Sequence, residues 1–184
     1  MGAINFALYN IGKIRKYLDK PSCESLINGL TCSRLDYCNA LFYGAPANSL
    51  DQLQRLQNRA ARILTLTPKF SHITPVLMNL HWLPVRQRID YKIILMVFKC
   101  LNGFAPEYLS DLITPYVPAR ALRSADHHLL KLPGKTRLKT YGDRCFEVAG
   151  PTLWNNLPLN LRKPHTLESF KKELKTHLFR AAYE

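Results

Sequence analysis

The sequence predicts a mainly α-helical protein with a small β component (α+β), and three observations lead to this fold class. Apolar residues recur every three or four positions in most segments, which is the spacing of an amphipathic helix. Prolines and glycines divide the chain into blocks of helical length. Hydrophobic residues make up 47% of the 184 positions and charged residues 21%, so a core can form. We therefore expect a bundle of roughly six helices, a small basic β-hairpin or arm, and a C-terminal amphipathic helix.

The first predicted region, 1–66, begins with two helical blocks. Apolar residues follow helical spacing from Ile4 to Leu18, and Pro21 is expected to end this helix. A second block is expected from Cys23 to Tyr43, before a glycine and a proline. The first block also carries three basic residues, Lys13, Arg15 and Lys16.

A third helix is expected from Leu50 to Leu66, because the residue before Pro68 avoids helical geometry. Its apolar arc consists of Leu53, Leu56, Ala60, Ile63 and Leu64. Its opposite arc consists of three arginines at steps of four and three positions, Arg55, Arg59 and Arg62. One face of this helix is therefore expected to pack on the core, and the other to form a basic stripe.

The second predicted region, 67–118, is also helical. Thr74 is expected to cap a short helix, and Pro84 to open a longer one that ends at Asn102-Gly103. A further short helix is expected at 106–113. Basic residues on one face of the longer helix include Arg88 and Lys92.

The third predicted region, 119–184, begins with a change in character. Basic residues outnumber acidic ones from Ala119 to Arg144, and Pro133-Gly134 lies between two short candidate strands. This pattern predicts a basic hairpin or irregular arm. The basic residues of the arm include Lys135, Arg137 and Lys139.

The last part of the chain is expected to form an amphipathic helix. Gly150-Pro151 is expected to interrupt the chain, and Thr166 to cap the final helix. The apolar face of that helix consists of Leu167, Phe170, Leu174 and Leu178. Such a face packs on the rest of the chain or on a partner, so a protein partner binding through 166–183 is one expectation.

The charge of the chain favours a polyanionic partner. The formal net charge is +13, from 26 Lys and Arg against 13 Asp and Glu, and such an excess is costly in self-repulsion. The candidate contacts to phosphate are Lys13, Arg15, Lys16, Arg55, Arg59, Arg62, Arg88, Lys92, Lys135, Arg137 and Lys139. Asp51 lies one helical turn from Arg55 and is expected to pair with it. A basic stripe is equally compatible with a solvated face.

The sequence contains no motif that indicates catalysis. Walker-type, nucleophile-elbow, zinc-protease and dinucleotide-binding patterns are missing, and no two aspartates are adjacent. His127 and His128 would point to opposite faces of a strand, and the cysteines lack zinc spacing and are expected to be buried, reduced thiols. We therefore predict no catalytic residue, no metal site and no cofactor.

The expected location is intracellular, either nuclear or cytoplasmic. The longest apolar run, Ile93 to Phe98, is far shorter than the roughly 20 residues of a membrane span. The N-terminus has no basic stretch before an apolar one, so we expect neither secretion nor membrane association.

Several segments carry a family resemblance, in a fixed order along the chain. They are NIGKIRK at 10–16, SRLDYCNAL at 33–41, LQRLQNRAAR at 53–62, LHWLPVRQRI at 80–89, APEYL at 105–109, KTYGDR at 139–144 and LWNNLP at 153–158. Together they resemble the C-terminal region of reverse transcriptases encoded by LINE-type, non-LTR retrotransposons. The resemblance covers nearly the whole chain from about Ile11 onward.

The resemblance implies a thumb-like helical region at 1–66, a post-thumb helical region at 67–118, and a basic arm with a C-terminal helix at 119–184. In that family the palm domain holds magnesium with adjacent aspartates of an aromatic-x-Asp-Asp box, and no position of this chain matches them. The resemblance thus implies a non-catalytic fragment of an RNA-directed DNA polymerase. Its expected partner is RNA or an RNA–DNA duplex, held by the backbone without sequence specificity.

Two further hypotheses stay open at this point. The chain could act as a helical protein–protein interaction module that docks through its final helix. It could also be a decayed retrotransposon reading frame with no selected function.

Overall fold

The computed structural model describes residues 2–118, 127–134, 142–163 and 166–184. These residues are predominantly helical and contain no strand or sheet, which confirms the predicted mainly α class. The helices are, in chain order, α1 (Gly2–Ile14), α2 (Lys20–Ile27), α3 (Ser33–Asp36), α4 (Ala47–Thr65), α5 (Thr74–Asn79), α6 (Val85–Leu101), α7 (Glu107–Ser110), α8 (Phe146–Asn155), α9 (Leu159–Arg162) and α10 (Leu167–Tyr183). Several are single turns, so the helical segments are more numerous than the sequence predicted.

The chain divides into two compact units. The first unit comprises Met1–Arg88 with Phe179–Glu184, and the second comprises Ile89–Leu178. The division falls inside α6 and inside α10. These limits differ from the region boundaries expected at 66 and 118, and the three regions stay a prediction.

The core of the first unit is built largely from α1, α2 and α4. Helix α1 buries Ile4, Leu8 and Ile11 at helical spacing. Helix α4 buries an apolar set that lies on one arc, Leu50, Leu56, Ala60, Ala61 and Leu64. Except for Leu50, these residues share one hydrophobic cluster, in which the small alanines permit close packing of the helices. The predicted core face of α4 is therefore confirmed.

A buried amide pair on α4 holds the segment that leads into α6. Gln57 is fully buried, and its Nε2 donates to the carbonyl of Leu83 at 2.8 Å. One turn earlier, Gln54 donates to Gln57 Oε1 at 2.9 Å and accepts the Val85 amide at 2.8 Å. Because the Oε1 and Nε2 of buried Gln57 both have partners, the hydrogen bonds offset the cost of burying this amide, and the pair fixes the segment.

The block predicted as one helix, Cys23 to Tyr43, is divided into shorter pieces. Pro21 does not end a helix but lies in the first turn of α2, where its missing N–H has no partner to lose. Asp19 caps α2 by accepting the Ser22 amide at 3.3 Å. Beyond α3, Cys38 adopts a left-handed backbone with φ 49°, which a continuous helix cannot contain.

In the second unit, aromatic rings form the centre of the core. Phe98 and Phe170 stack with centroids 4.0 Å apart, and Trp154 lies 5.9 Å from Phe170 in a tilted arrangement. Leu174 and Leu178 extend this buried face along α10. The apolar face predicted for the final helix is therefore occupied within the chain.

The start of α10 is the one that the sequence predicted. The Thr166 hydroxyl accepts the amide of Ser169 at 3.3 Å, as an N-cap does. Among the residues that the structure describes, each helix is too short or too polar to traverse a bilayer.

The interruption expected at Gly150-Pro151 is wrong, because α8 continues through both residues. A proline inside a helix removes one hydrogen bond, but here Ala149, Gly150, Pro151 and Trp154 are all buried, which offsets that loss. A Cβ at Gly150 would meet Val97 Cγ2 at 2.9 Å. Glycine is therefore required for the close approach of α8 to α6, and the position is a packing site instead of a turn.

The predicted hairpin is not found in the part of the arm that the structure describes, 127–134 and 142–144. Leu130 forms only an isolated antiparallel bridge with Pro115. The backbone N–H and C=O of Leu130 pair instead with the Asn155 side chain, both at 2.9 Å. Since a side chain of α8 takes the place of a partner strand, no sheet is needed there. Residues 119–126 and 135–141 lie outside the described part.

Candidate nucleic-acid interface

An open groove in the first unit is lined by basic side chains. It has a volume of about 680 Å³ and lies between the end of α1, the exposed face of α4 and the loop that follows α4. Its basic lining residues are Arg15, Arg55, Arg59, Arg62 and Lys69. No acidic residue of the described chain lines it. We call this feature the basic groove.

Arg55 and Arg59 present free charge to the groove. Both side chains are exposed, and Arg59 makes one bond, from Nη1 to Asn5 Oδ1 at 3.2 Å. Within the described residues, no ion pair forms between Arg55 and Asp51, so that expected pairing is wrong. Most of the guanidinium donors of these two residues stay available to a ligand.

Arg15 lines the groove, but its guanidinium is used inside the protein. Nε donates to the carbonyl of Ile63 and Nη2 to that of Leu64, both at 3.0 Å, and Nη1 donates to Leu18 at 2.7 Å. The carbonyls of the last turn of a helix have no intrahelical donors, and Arg15 supplies them for α4. Its geometry favours a structural role over a phosphate contact.

Arg62 is also engaged. Its Nη1 donates to the carbonyl of Pro68 at 2.6 Å and its Nη2 to that of Ser71 at 2.8 Å. The side chain therefore holds the loop after α4 against the helix end. That loop carries Lys69, an exposed groove residue that helical periodicity could not reveal because it lies outside the helix.

Arg88 lies away from the groove lining and forms an internal ion pair. Its Nη1 donates to both carboxylate oxygens of Asp36, at 2.8 and 2.7 Å, and its Nε donates to the carbonyl of Leu83 at 3.2 Å. The Arg88 side chain is only 18% exposed. Its role as a phosphate contact stays a prediction that this geometry does not favour.

Lys13 and Lys16 are exposed at the end of α1 and just after it. The Lys13 ammonium lies 4.4 Å from the centroid of the Tyr9 ring, and the Lys16 ammonium lies 4.7 Å from that of Tyr17. Such cation–π contacts are weak at exposed sites, so both charges stay accessible.

The other candidate contacts lie elsewhere. Lys92 is exposed on α6, in the second unit. The arm residues Lys135, Arg137 and Lys139 lie outside the described residues, and their role stays a prediction.

The cysteines differ from expectation in two cases. Cys23, Cys32 and Cys100 are buried, and burial raises the pKa of each thiol, which disfavours the reactive thiolate. Cys38 and Cys145 are exposed, so the expectation that all cysteines are buried is wrong. No cluster of His, Cys, Asp and Glu suited to a metal ion occurs within the described ranges.

Fold and site together define a mainly helical protein with a basic groove. No family model matches the chain, and no curated protein or solved structure matches it either. Function is therefore inferred from the geometry of the groove and from the resemblance of the sequence segments.

Proposed function

We propose that the chain binds the phosphate backbone of RNA or of an RNA–DNA duplex through the basic groove, without reading base sequence. The observation that carries this proposal is the pair Arg55 and Arg59, exposed on one face of α4 with guanidinium donors that no carboxylate occupies. Together with Lys69 they line an open surface without acidic residues among the described ones. Arginine and lysine at such spacing suit phosphate contacts, which need charge and donors but no base edge.

The family resemblance supports the same proposal. A thumb-like region of a retrotransposon reverse transcriptase grips a template–primer duplex by its backbone, and the segment LQRLQNRAAR at 53–62 contains both arginines. On this proposal the chain is a binding part of such a polymerase, and it has no catalytic residue of its own. The interaction-module hypothesis gains no support from α10, since Phe170 and Leu174 are buried in the chain.

The test is a salt titration of duplex affinity, followed by fluorescence anisotropy. For the wild-type chain, log K is expected to fall linearly with log salt at about −0.9 per phosphate neutralised. The double variant Arg55→Glu and Arg59→Glu is expected to lower the affinity by about 10- to 100-fold at low salt, and to reduce the slope by about 2.

The control has the same change in net charge. Lys172 and Lys175 are exposed on α10, and Lys172→Glu with Lys175→Glu leaves the groove unaltered. This control is expected to change duplex affinity only a fewfold, through long-range charge. An equal loss in both double variants would mean that net charge alone attracts the duplex. If the wild-type chain binds neither RNA nor the RNA–DNA duplex at low salt, the proposal is refuted.

A further inference from the structure

Three exposed aromatic rings belong to the segments that supply lining residues to the basic groove, α1, the turn after it and the loop after α4. Tyr9 is 51% exposed, Tyr17 77% and Phe70 93%. None of them belongs to the hydrophobic cluster of the first unit. Burial of a large aromatic side chain is favourable, so exposed rings are unusual. Several of them near one concavity indicate a binding surface.

The position of each ring follows from its neighbours. Tyr9 lies on α1 between Asn5, which accepts a bond from Arg59, and Gly12, which lines the groove. These three residues fall on one stripe of α1, because they are spaced by four and three positions. The Tyr9 ring is therefore carried by the wall of α1 that borders the groove.

The other two rings follow groove residues directly in the chain. Tyr17 lies two positions after Arg15, at the end of the turn Arg15–Tyr17. Phe70 follows Lys69 in the loop that Arg62 holds in place.

Each ring also carries a lysine ammonium over one face. The distances from ammonium to centroid are 4.4 Å for Tyr9, 4.7 Å for Tyr17 and 5.9 Å for Phe70. An apolar protein partner would have to desolvate these ammonium groups. A nucleic acid strand would instead bring phosphates to the ammonium groups and a base to the free face of each ring, so the charge pattern favours a nucleic acid.

We propose that the basic groove takes a single strand of RNA or DNA, with its phosphates along Arg55 and Arg59 and its bases stacked on Tyr9, Tyr17 and Phe70. The inference rests on the proposed function and specifies the form of nucleic acid, a single strand of either RNA or DNA. In a duplex the base faces are already stacked on one another, so exposed rings add little to duplex binding. In a single strand every base has a free face, and stacking on an aromatic ring is tolerant of sequence.

The test compares single strands with a duplex on the full chain. The probes are labelled oligouridylate and oligothymidylate of about ten nucleotides, which fits the site sizes of single-strand grooves, and a long blunt RNA–DNA duplex. The variants are Tyr9→Leu, Tyr17→Leu and Phe70→Leu, because leucine keeps apolar bulk and removes the aromatic face. Each is expected to weaken binding of both single strands by about tenfold, with duplex affinity unchanged within about twofold.

The matched control is Phe104→Leu. Phe104 is 62% exposed but belongs to the second unit, so its replacement is expected to leave all three affinities unchanged. Thermal melting by circular dichroism checks the fold of each variant. Because Phe70 is the most exposed of the rings, Phe70→Leu tests the inference even if a substitution in α1 perturbs folding.

The two proposals fail in different ways. If the wild-type chain binds neither single strands nor the duplex, the proposed function is refuted. If duplex binding is intact but the three leucine variants bind single strands as tightly as the wild type, only the inference is overturned. A change in oligomeric state on size-exclusion chromatography, with single-strand affinity unchanged, would also overturn it by assigning the rings to a protein interface.

Discussion

The two ends of the basic groove carry the same residue type but use it differently. At one end, Arg55 and Arg59 extend from the middle of α4 into solvent, and the structure gives them one hydrogen bond to another side chain. At the other end, Arg15 and Arg62 donate to five backbone carbonyls around the end of α4. Both pairs add two charges, yet only the first pair is free to exchange its hydration for phosphate.

Arg15 and Arg62 differ from Arg55 and Arg59 because they lie near the C-terminal end of α4. A helix leaves its last carbonyls without donors, and the mid-helix positions of Arg55 and Arg59 have no such groups beside them. Leu66, with φ 56°, ends α4 in a left-handed conformation, and Arg62 O accepts from the amides of Leu66 and Thr67. Two further carbonyls of the last turn, those of Ile63 and Leu64, take their donors from Arg15. A positive residue near a helix end is therefore as readily a structural cap as a binding residue.

Tyrosines of the first unit show the same contrast. Tyr183 is half-buried, and its hydroxyl donates to the carbonyl of Trp82 at 2.7 Å. Tyr9 and Tyr17 are exposed. The residue type again predicts the possible roles, and the local partners decide which one is used.

The largest effect is expected from Arg15→Met. This change removes the donors to Ile63, Leu64 and Leu18 and leaves carbonyls at the end of α4 unsatisfied. Hydrogen bonds to charged groups contribute more than neutral ones, so we expect a loss of about 3 kcal/mol in the free energy of unfolding, measured by urea denaturation. Arg15→Lys is expected to recover little of this loss, since an ammonium lacks the fork geometry.

The control is the neighbouring Lys16→Met, which removes an exposed charge without a backbone partner and is expected to cost less than about 0.5 kcal/mol. If Arg15→Met keeps wild-type stability but loses duplex affinity, the structural role of Arg15 is wrong. That result would place Arg15 with Arg55 and Arg59 as a ligand contact.

The sequence predicted helices better than the roles of individual side chains, because helices have local signals and the roles depend on distant partners. Apolar spacing on α4 and the hydroxyl of Thr166 are local signals, and both predictions are confirmed. The use of Arg15 depends on carbonyls 48 and 49 positions away, which no local pattern contains. Gly150-Pro151 is a local breaker signal that tertiary packing overrides: both residues are buried, and α8 packs so close to α6 that a Cβ at Gly150 would force a shift. The sequence did not reveal Tyr9, Tyr17 and Phe70 as exposed rings, because one sequence does not show which aromatic side chains stay in solvent.

The next effect is a loss of stability at alkaline pH, which is expected from Tyr183 because its ring is partly buried. Burial raises the pKa of Tyr183 to about 12 from its ordinary value near 10. Below about pH 10 the phenol is neutral in both states, so its contribution to stability is fully present there. Between about pH 10 and 12 the unfolded chain loses this proton while the folded chain keeps it, so stability falls, by at most about 2 kcal/mol at pH 12 because solvent screens part of the effect at this half-buried ring.

The measurement is the difference in unfolding free energy between wild type and Tyr183→Phe as pH rises. Because lysines titrate in both proteins, their effect cancels in this difference. The excess of the wild-type unfolding free energy over that of Tyr183→Phe is expected to shrink between about pH 10 and 12. Tyr17→Phe, at an exposed ring, serves as the control and is expected to follow the wild type. A wild-type advantage that stays constant up to about pH 12 would contradict the assigned burial of the Tyr183 hydroxyl.

The smallest effect is expected from Arg62→Gln. This variant tests whether Arg62 belongs with Arg15, as a donor to backbone carbonyls, or with Arg59, as a ligand contact. Its two carbonyl partners lie in an exposed loop, so their loss is expected to cost about 1 kcal/mol. Hydrogen exchange should quicken at the Ser71 amide, which bonds to Pro68 O at 3.2 Å within that loop. Arg59→Gln, the matched change one turn earlier, should leave exchange and stability unchanged and weaken duplex binding more than Arg62→Gln does. If Arg62→Gln weakens duplex binding more than Arg59→Gln does, Arg62 is a phosphate contact. Its guanidinium would then hold the loop only in the absence of ligand.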